Sequence, residues 1–329
     1  MAFIRLVVVF LFTLAGFVAL SGGAGHAQEH RTGKVYRIGF LRAGAPPTMW
    51  VEAFQQGLRE LGYVDGQNVL VAFRFTDGSL EPLPQLAEEL VRLKVDVIVA
   101  SAGPPALAAK KATASVPIVF VNVIDPVEIG LVRSLGSPGG NVTGLAMTSA
   151  DLTGKRLEVL RELVPKLRRV AVLSHPATPS TSMQLKGAEV AARTLGLRLQ
   201  VVPVRGPDDF DAAFKTVRGA DGLLQLDSPL FTTHRARLVG LAATSRVPAI
   251  YGYKEMAEVG GLMSYGAHLP DMYKRAATYV DKILKGGKPA DLPIEQPAKF
   301  EFVINLKTAK TLGLTFPRSL VLRADQILE

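Results

Sequence analysis

Two kinds of apolar pattern alternate along this chain. Short unbroken runs such as Ile118–Ile124 (IVFVNVI) are too continuous for a strand with one wet face and read as strands buried on both faces of a parallel sheet. Longer stretches repeat apolar positions every three or four residues. Over 50–61 these are Val51, Phe54, Leu58 and Leu61, on one helical face, with Gly62 as a cap. The pattern predicts strands over 35–41, 68–75, 96–100, 118–124 and 142–147, separated by helices over 50–61, 83–93 and 104–113. It restarts after Asp151, with helices over 152–164, 180–195, 208–217 and 234–244 alternating with strands over 169–174, 198–204, 222–226 and 249–253. A short strand over 262–266, a helix over 271–284 and a Gly-, Pro- and Lys-rich loop over 285–297 follow, and the tail over 300–305 and then 308–312 returns to the body of the protein.

Strands and helices alternate at this spacing when the strands run parallel, because each crossover needs a helix to return. The expected fold class is therefore α/β, with two doubly wound parallel-sheet lobes, a hinge and a central ligand cleft. Ligands of such sheets sit beyond the carboxyl ends of the strands. The stretch from Pro117 to Gly144 marks the place: its strand stops at Asp125-Pro126, and a Ser137-Pro138-Gly139-Gly140-Asn141 turn delivers the next strand. It reads as the approach to a crossing between the two lobes.

The amino terminus changes the picture of where the protein works. Arg5 precedes an apolar run from Leu6 to Leu20, and Gly25 and Ala27 are the small residues a signal peptidase reads, so residues 1–27 are expected to be a signal peptide cleaved after Ala27. The run is shorter than the ~20 residues that span a bilayer. Export to the periplasm follows. The absence of cysteine excludes disulfides, thiolate zinc sites and a lipid anchor on an N-terminal Cys. The formal charge of +9 becomes +8 once Arg5 leaves, but the basic residues are spread among acids with no aromatic-interleaved run, which speaks for a solvated surface and against nucleic acid.

RIGFL near the mature start, AFQQGLRELGYVDGQNV, DVIVAS, PIVFVNVIDPVEIGLVRSLGSPGGNVTG and KFEFVINLKTAKTLGL occur in that order. Together they resemble the ABC-transporter substrate-binding protein family with a type I periplasmic-binding-protein fold, relatives of tryptophan- and other aromatic amino-acid-binding proteins. The resemblance implies a non-catalytic, exported receptor; the chain is further expected to be monomeric and to need no cofactor. It would close on a small-molecule solute and hand it to an ABC permease with its ATPase; a sensor docking on a membrane receptor is the alternative. The resemblance also assigns residues 28–147 plus about 267–290 to an N-terminal lobe, and 148–266 plus about 300–329 to a C-terminal lobe.

Candidate ligand contacts follow from the strand ends: Ala43 and Gly44, Thr76, Ser101 to Gly103, Asp125, and Asp227 with Ser228. Ser101 and the amides of Ala102 and Gly103 suit a carboxylate at a helix N-terminus, with ordinary helix capping of Ser101 as the alternative. Asp125 and Asp227 are expected to face each other across the cleft and to take an amino group, against a role in Asx turns. Glu255 is a third such carboxylate or a surface residue. Tyr251, Tyr253 and Trp50 stack on an aromatic or branched apolar amino acid or pack the lobes. Ser180 and its neighbour Thr181 donate hydrogen bonds or cap a helix. Enzyme chemistry finds no support: His175, His234 and His268 lie in separate loops without metal spacing, the neighbouring Ser174 and His175 point to opposite faces, and Gly154-Lys155 lacks the rest of a phosphate loop.

Overall fold

The computed structural model describes residues 34–45, 48–147 and 149–329; the expected signal peptide and its cleavage site lie outside them. The first lobe runs β1 (Tyr36–Arg42), α1 (Thr48–Glu60), β2 (Val69–Phe75), α2 (Leu83–Arg92), β3 (Val97–Ser101), α3 (Gly103–Ala112), β4 (Ile118–Ile124) and β5 (Val142–Met147). These five strands form a parallel sheet in the order β2-β1-β3-β4-β5. Successive side chains alternate between two cores. Ile38, Phe40, Val97, Val99, Val119 and Val121 point to one face, and Ile98, Ala100, Ile118 and Phe120 to the other. This two-sided burial is why β4 reads as an unbroken apolar run.

The second lobe follows with α4 (Ser149–Leu163), β6 (Arg169–Ser174), α5 (Thr181–Leu195), β7 (Arg198–Pro203), α6 (Phe210–Val217), β8 (Gly222–Gln225), α7 (Pro229–Thr233), α8 (Arg235–Ser245), β9 (Ala249–Tyr251), α9 (Lys254–Glu258) and β10 (Met263–Ala267). Helix α10 (Leu269–Leu284) then leaves for the first sheet, and β11 (Phe300–Asn305), α11 (Leu306–Leu312), α12 (Arg318–Arg323) and β12 (Gln326–Leu328) return. The second sheet has seven strands in the order β12-β11-β10-β9-β8-β6-β7.

Helix α10 is an amphipathic helix that buries Tyr273, Ala276, Ala277, Val280 and Ile283 in the first lobe. Its seat is shaped by Gly57 of α1: a Cβ there would lie 2.6 Å from the Lys274 carbonyl oxygen and 2.9 Å from the Ala277 Cβ. A helix-interior glycine costs about 1 kcal/mol relative to alanine, and here it allows two helix backbones to meet. Tyr63 adds a buried hydrogen bond to Asp281 at 2.9 Å.

The second sheet departs from the all-parallel expectation at one pair, since β10 and β11 are antiparallel. The reason is the path of the chain. Strand β10 leaves its lobe at its carboxyl end, whereas β11 enters from that same end and must run the other way. Short elements α7, α9, α12 and β12 were not expected; at three to six residues each they are too brief to show a period.

Candidate functional site

Each sheet has a place where successive connections leave in opposite directions. In the first sheet it lies between β1 and β3, in the second between β6 and β8. Such switch points open a crevice at the strand carboxyl ends. One cleft is lined by residues from both: Arg42 ends β1, Ala102, Gly103 and Pro104 follow β3, Asn122 and Ile124 come from β4, and Asp227, Ser228 and Pro229 follow β8. Trp50, Thr178, Ser180, Thr232 and Tyr253 complete the lining.

The backbone is strained where it borders this cleft. Ala102 has φ 77° and ψ 169°, and Asn122 has φ 59°. Non-glycine residues in such regions cost on the order of 1–3 kcal/mol each and collect at functional sites. Asn122 is extruded from β4 at a register shift between Val121 and Val123, and the bulge turns its side chain to the other lobe, where its amide donates to the Tyr253 hydroxyl at 3.2 Å.

A second bond crosses the lobes. The Trp50 indole N–H donates to Glu255 Oε1 at 2.5 Å, and burial pushes the Glu255 carboxyl above its ordinary range. Trp50 is fully buried, with the Tyr273 ring stacked at 5.5 Å, the Arg42 guanidinium at 4.7 Å and Tyr253 edge-on at 5.9 Å. Gly44 marks another close approach, for a Cβ there would sit 1.9 Å from Thr233 Oγ1. The cleft between these contacts measures about 20 Å³, room for about one water. The lobes are shut, and a solute enters only when they part.

Asp227 is held on several sides in the second lobe. Gln184 grips its backbone twice, accepting from its N–H at 2.7 Å and donating to its carbonyl at 3.1 Å. Arg156, fully buried, holds Asp227 Oδ2 at 3.0 Å and also donates to the Tyr265 carbonyl. Asp227 Oδ1 is buried and has no hydrogen-bond partner. Nearby, His175 Nδ1 lies 2.9 Å from Ser228 Oγ and 3.0 Å from Thr178 Oγ1. Burial lowers the His175 pKa, so the imidazole is neutral near pH 7. Ser228 Oγ also accepts from the Leu230 N–H, as a helix cap does. These bonds fix the loop beside Asp227.

The structure distributes the expected contacts unevenly. Ala102, Gly103, Ser180, Asp227, Ser228 and Tyr253 line the cleft. Glu255 is buried rather than superficial and binds Trp50. Trp50 lines the cleft but is fully buried, packed against Arg42 and Tyr273. Ala43 and Tyr251 are packed in the cores of the first and second lobes. Thr76 uses its hydroxyl inside its own lobe, accepting from the Gly44 and Gly78 amides and donating to the Ser79 carbonyl. Ser101 is buried between Arg42 and the Tyr273 hydroxyl, and the Ala102 N–H donates to the Val121 carbonyl, so neither is available in the way expected. Asp125, at φ 46°, opens onto a separate groove of about 780 Å³ with Lys155, Glu158 and Met183, and does not share a cavity with Asp227. That groove is roomier, but the described buried polar atoms left without partners at a cavity, on Arg42, Asn122 and Asp227, belong to the narrow cleft.

Sequence reasoning missed Arg42, Asn122, Arg156 and Gln184. Arg42 had a legible signal, being the residue one past the expected end of the first strand. Arg156 had none, because a basic residue in a helix reads as solvated until the fold buries it.

Among the described residues no helix is long and apolar enough to cross a membrane, and no cluster of His, Asp and Glu could hold a metal. A tyrosine-binding protein of Clostridioides difficile (strain R20291) is 27% identical over 265 residues, covering 80% of this chain and 76% of that protein. A Streptococcus pneumonia ABC domain crystallised in complex with L-Trp aligns with TM-score 0.84 at 26% identity, over 89% of this chain and 99% of that one. A conserved domain protein from Vibrio cholerae aligns equally well, with TM-score 0.84 and 26% identity over 89% of this chain and all of that one. One of these relatives is named for tyrosine binding and another was crystallised with L-Trp, and the fold shared with the solved structures is the two-lobed type I periplasmic-binding fold. The model of the ABC transporter substrate binding proteins matches residues 47–328, most of its length, so the chain belongs to that family.

Proposed function

We propose that this protein is the extracytoplasmic receptor of an ABC importer, taking up an amino acid between its lobes and presenting the closed form to a permease with its ATPase. The observation that carries the amino-acid reading is Asp227. Asp227 lines the cleft; one carboxylate oxygen is held by Arg156, while the other is buried without a partner. An unpaired buried carboxylate oxygen is costly, and a ligand ammonium would satisfy it. The relatives support the class of cargo, one being named for tyrosine and another crystallised with L-Trp. Trp50, Ile124, Pro104, Pro229 and Tyr253 supply apolar surface for an aromatic or branched side chain once the lobes part.

Closure then follows from differential affinity. A solute touching both lobes binds a form closed around it more tightly than the open form and shifts the population toward that form. The test is thermal melting of the purified protein against the common amino acids, organic acids, sugars and polyamines. A bound amino acid at 100 times its Kd adds about 2.7 kcal/mol of stability, a rise of several degrees. A shift produced by sugars or polyamines alone would refute the amino-acid reading.

A further inference from the structure

We propose that Arg42 is the carboxylate subsite of the cleft, so that an amino acid lies across the lobes with its carboxylate on Arg42 and its ammonium on Asp227. The inference rests on the amino-acid reading and adds the polarity of binding and the residue that sets it.

Arg42 is 1% exposed at the carboxyl end of β1, in register with Ser101 of β3 across the first switch point. Neutral groups position it: Nη1 donates to Ser101 Oγ at 2.9 Å, Ser101 Oγ meets the Tyr273 hydroxyl, and the guanidinium lies over the Trp50 ring. Among the described residues no carboxylate forms a salt bridge with it, and its Nε has no hydrogen-bond partner. Arginine keeps its charge at any ordinary pH, so this is a buried cation in want of an anion. Glu255 is held on the indole N–H of Trp50, and its burial favours the neutral carboxyl, which makes it a poor counterion.

Helix α3 shows why a side chain takes this role. Its first turn begins Gly103-Pro104-Pro105, so only Gly103 retains an N–H among its first three positions. The amides that usually receive a carboxylate at a helix start are largely missing. Arg42, at the neighbouring strand end and lining the same cleft, brings the positive charge instead. Opposite it, the unpaired Oδ1 of Asp227 supplies the negative end. The two charges come from different lobes, so a zwitterion satisfies both only when the lobes close on it.

The experiment uses the full chain and two matched sets: L-tyrosine with tyramine and 3-(4-hydroxyphenyl)propionate, and L-leucine with 3-methylbutylamine and 4-methylpentanoate. Calorimetry of the wild type should show the amino acid binding at least about tenfold more tightly than either analogue of its set. Arg42→Met should remove that advantage over the amine. Its ligand-free melting temperature should hold or rise, because an uncompensated buried charge has gone. Arg42→Lys should recover part of the preference. Equal wild-type affinity for amino acid and amine, or full affinity in Arg42→Met, overturns the assignment and leaves the amino-acid receptor standing. A lower melting temperature in Arg42→Met with amino acid and amine weakened alike shows a structural arginine and also overturns it. Should Arg42→Met fail to fold, the wild-type comparison and Arg42→Lys decide. Carboxylates that bind through Arg42 when no amino acid does would keep the subsite and sink the amino-acid reading, and no binding by any compound sinks both.

Discussion

Asp227 pairs with Arg156 through one carboxylate oxygen and, on the proposed reading, meets a solute ammonium with the other, and the two roles can be separated. Its Oδ2 pairs with Arg156 at 3.0 Å, the side chains being 5% and 0% exposed. Asp227→Leu removes the charge that compensates Arg156, which is fully buried. Breaking a buried pair from one side costs about 3–5 kcal/mol, whereas replacing both partners by apolar groups is often neutral. For a chain of this size the single change should lower the melting temperature by on the order of 10 °C. Arg156→Met alone should cost a comparable amount, and the double variant Arg156→Met/Asp227→Leu should recover most of it. With each single change costing about 3–5 kcal/mol and the double about 1, the resulting coupling is roughly 5–9 kcal/mol. Circular dichroism melts and urea titrations of the four proteins give the cycle, and calorimetry on the stable double variant isolates the second role. That variant should be folded yet bind an amine-bearing solute at least about tenfold more weakly, because Oδ1 is gone with Oδ2. A single variant that melts within a degree of the wild type, or a double variant no more stable than the singles, would refute the reasoning.

Gly252→Ala should destabilise the second lobe strongly, since its Cβ would lie 1.8 Å from Asp227 Oδ1 and 2.7 Å from Arg156 Nη2; an unchanged urea midpoint counts against the packing described. Trp50→Phe deletes the hydrogen bond to Glu255 across the lobes, worth about 0.5–1.5 kcal/mol, and so should shift the shut-to-open ratio roughly two- to tenfold. X-ray scattering should show a larger radius of gyration without solute, and an identical radius would remove Trp50 as a latch. Glu301, whose carboxyl is pushed up to about 7 chiefly by burial, resists ionisation in the folded state. Its contribution is fully present below the ordinary value of 4.5 and is lost as pH rises through about 7, so Glu301→Gln should flatten the fall in urea midpoint between pH 5 and 8. A slope unchanged by the substitution would assign the pH dependence to other groups.

Local pattern was sufficient to read the alternating α/β fold. Strand β4 spans the predicted residues, and helices α1, α2 and α5 lie within a residue or two of expectation, because continuous apolar runs and one-sided helices are properties of neighbouring residues. The strand carboxyl ends also pointed to Asp227, Ser228, Ala102 and Gly103, which line the cleft between the lobes. Position along the chain does not reveal which way a strand-end residue faces, however. Ala43 and Tyr251 turn into their cores, Thr76 closes its own loop, and Asp125 opens onto another groove.

Charge was the least legible property. Arg42 and Arg156 resemble any other basic residue in the sequence, and burial alone makes one a cation without an anion and the other half of an ion pair. Burial depends on segments far apart in the chain: Arg156 meets Asp227 across 71 positions, Trp50 meets Glu255 across 205, and Tyr273 comes from a helix that has left one sheet for the other. Local sequence determines what an element is, since propensity and periodicity act over a few residues. Tertiary structure decides what each polar group costs and what it will accept, since desolvation depends on every segment packed around it.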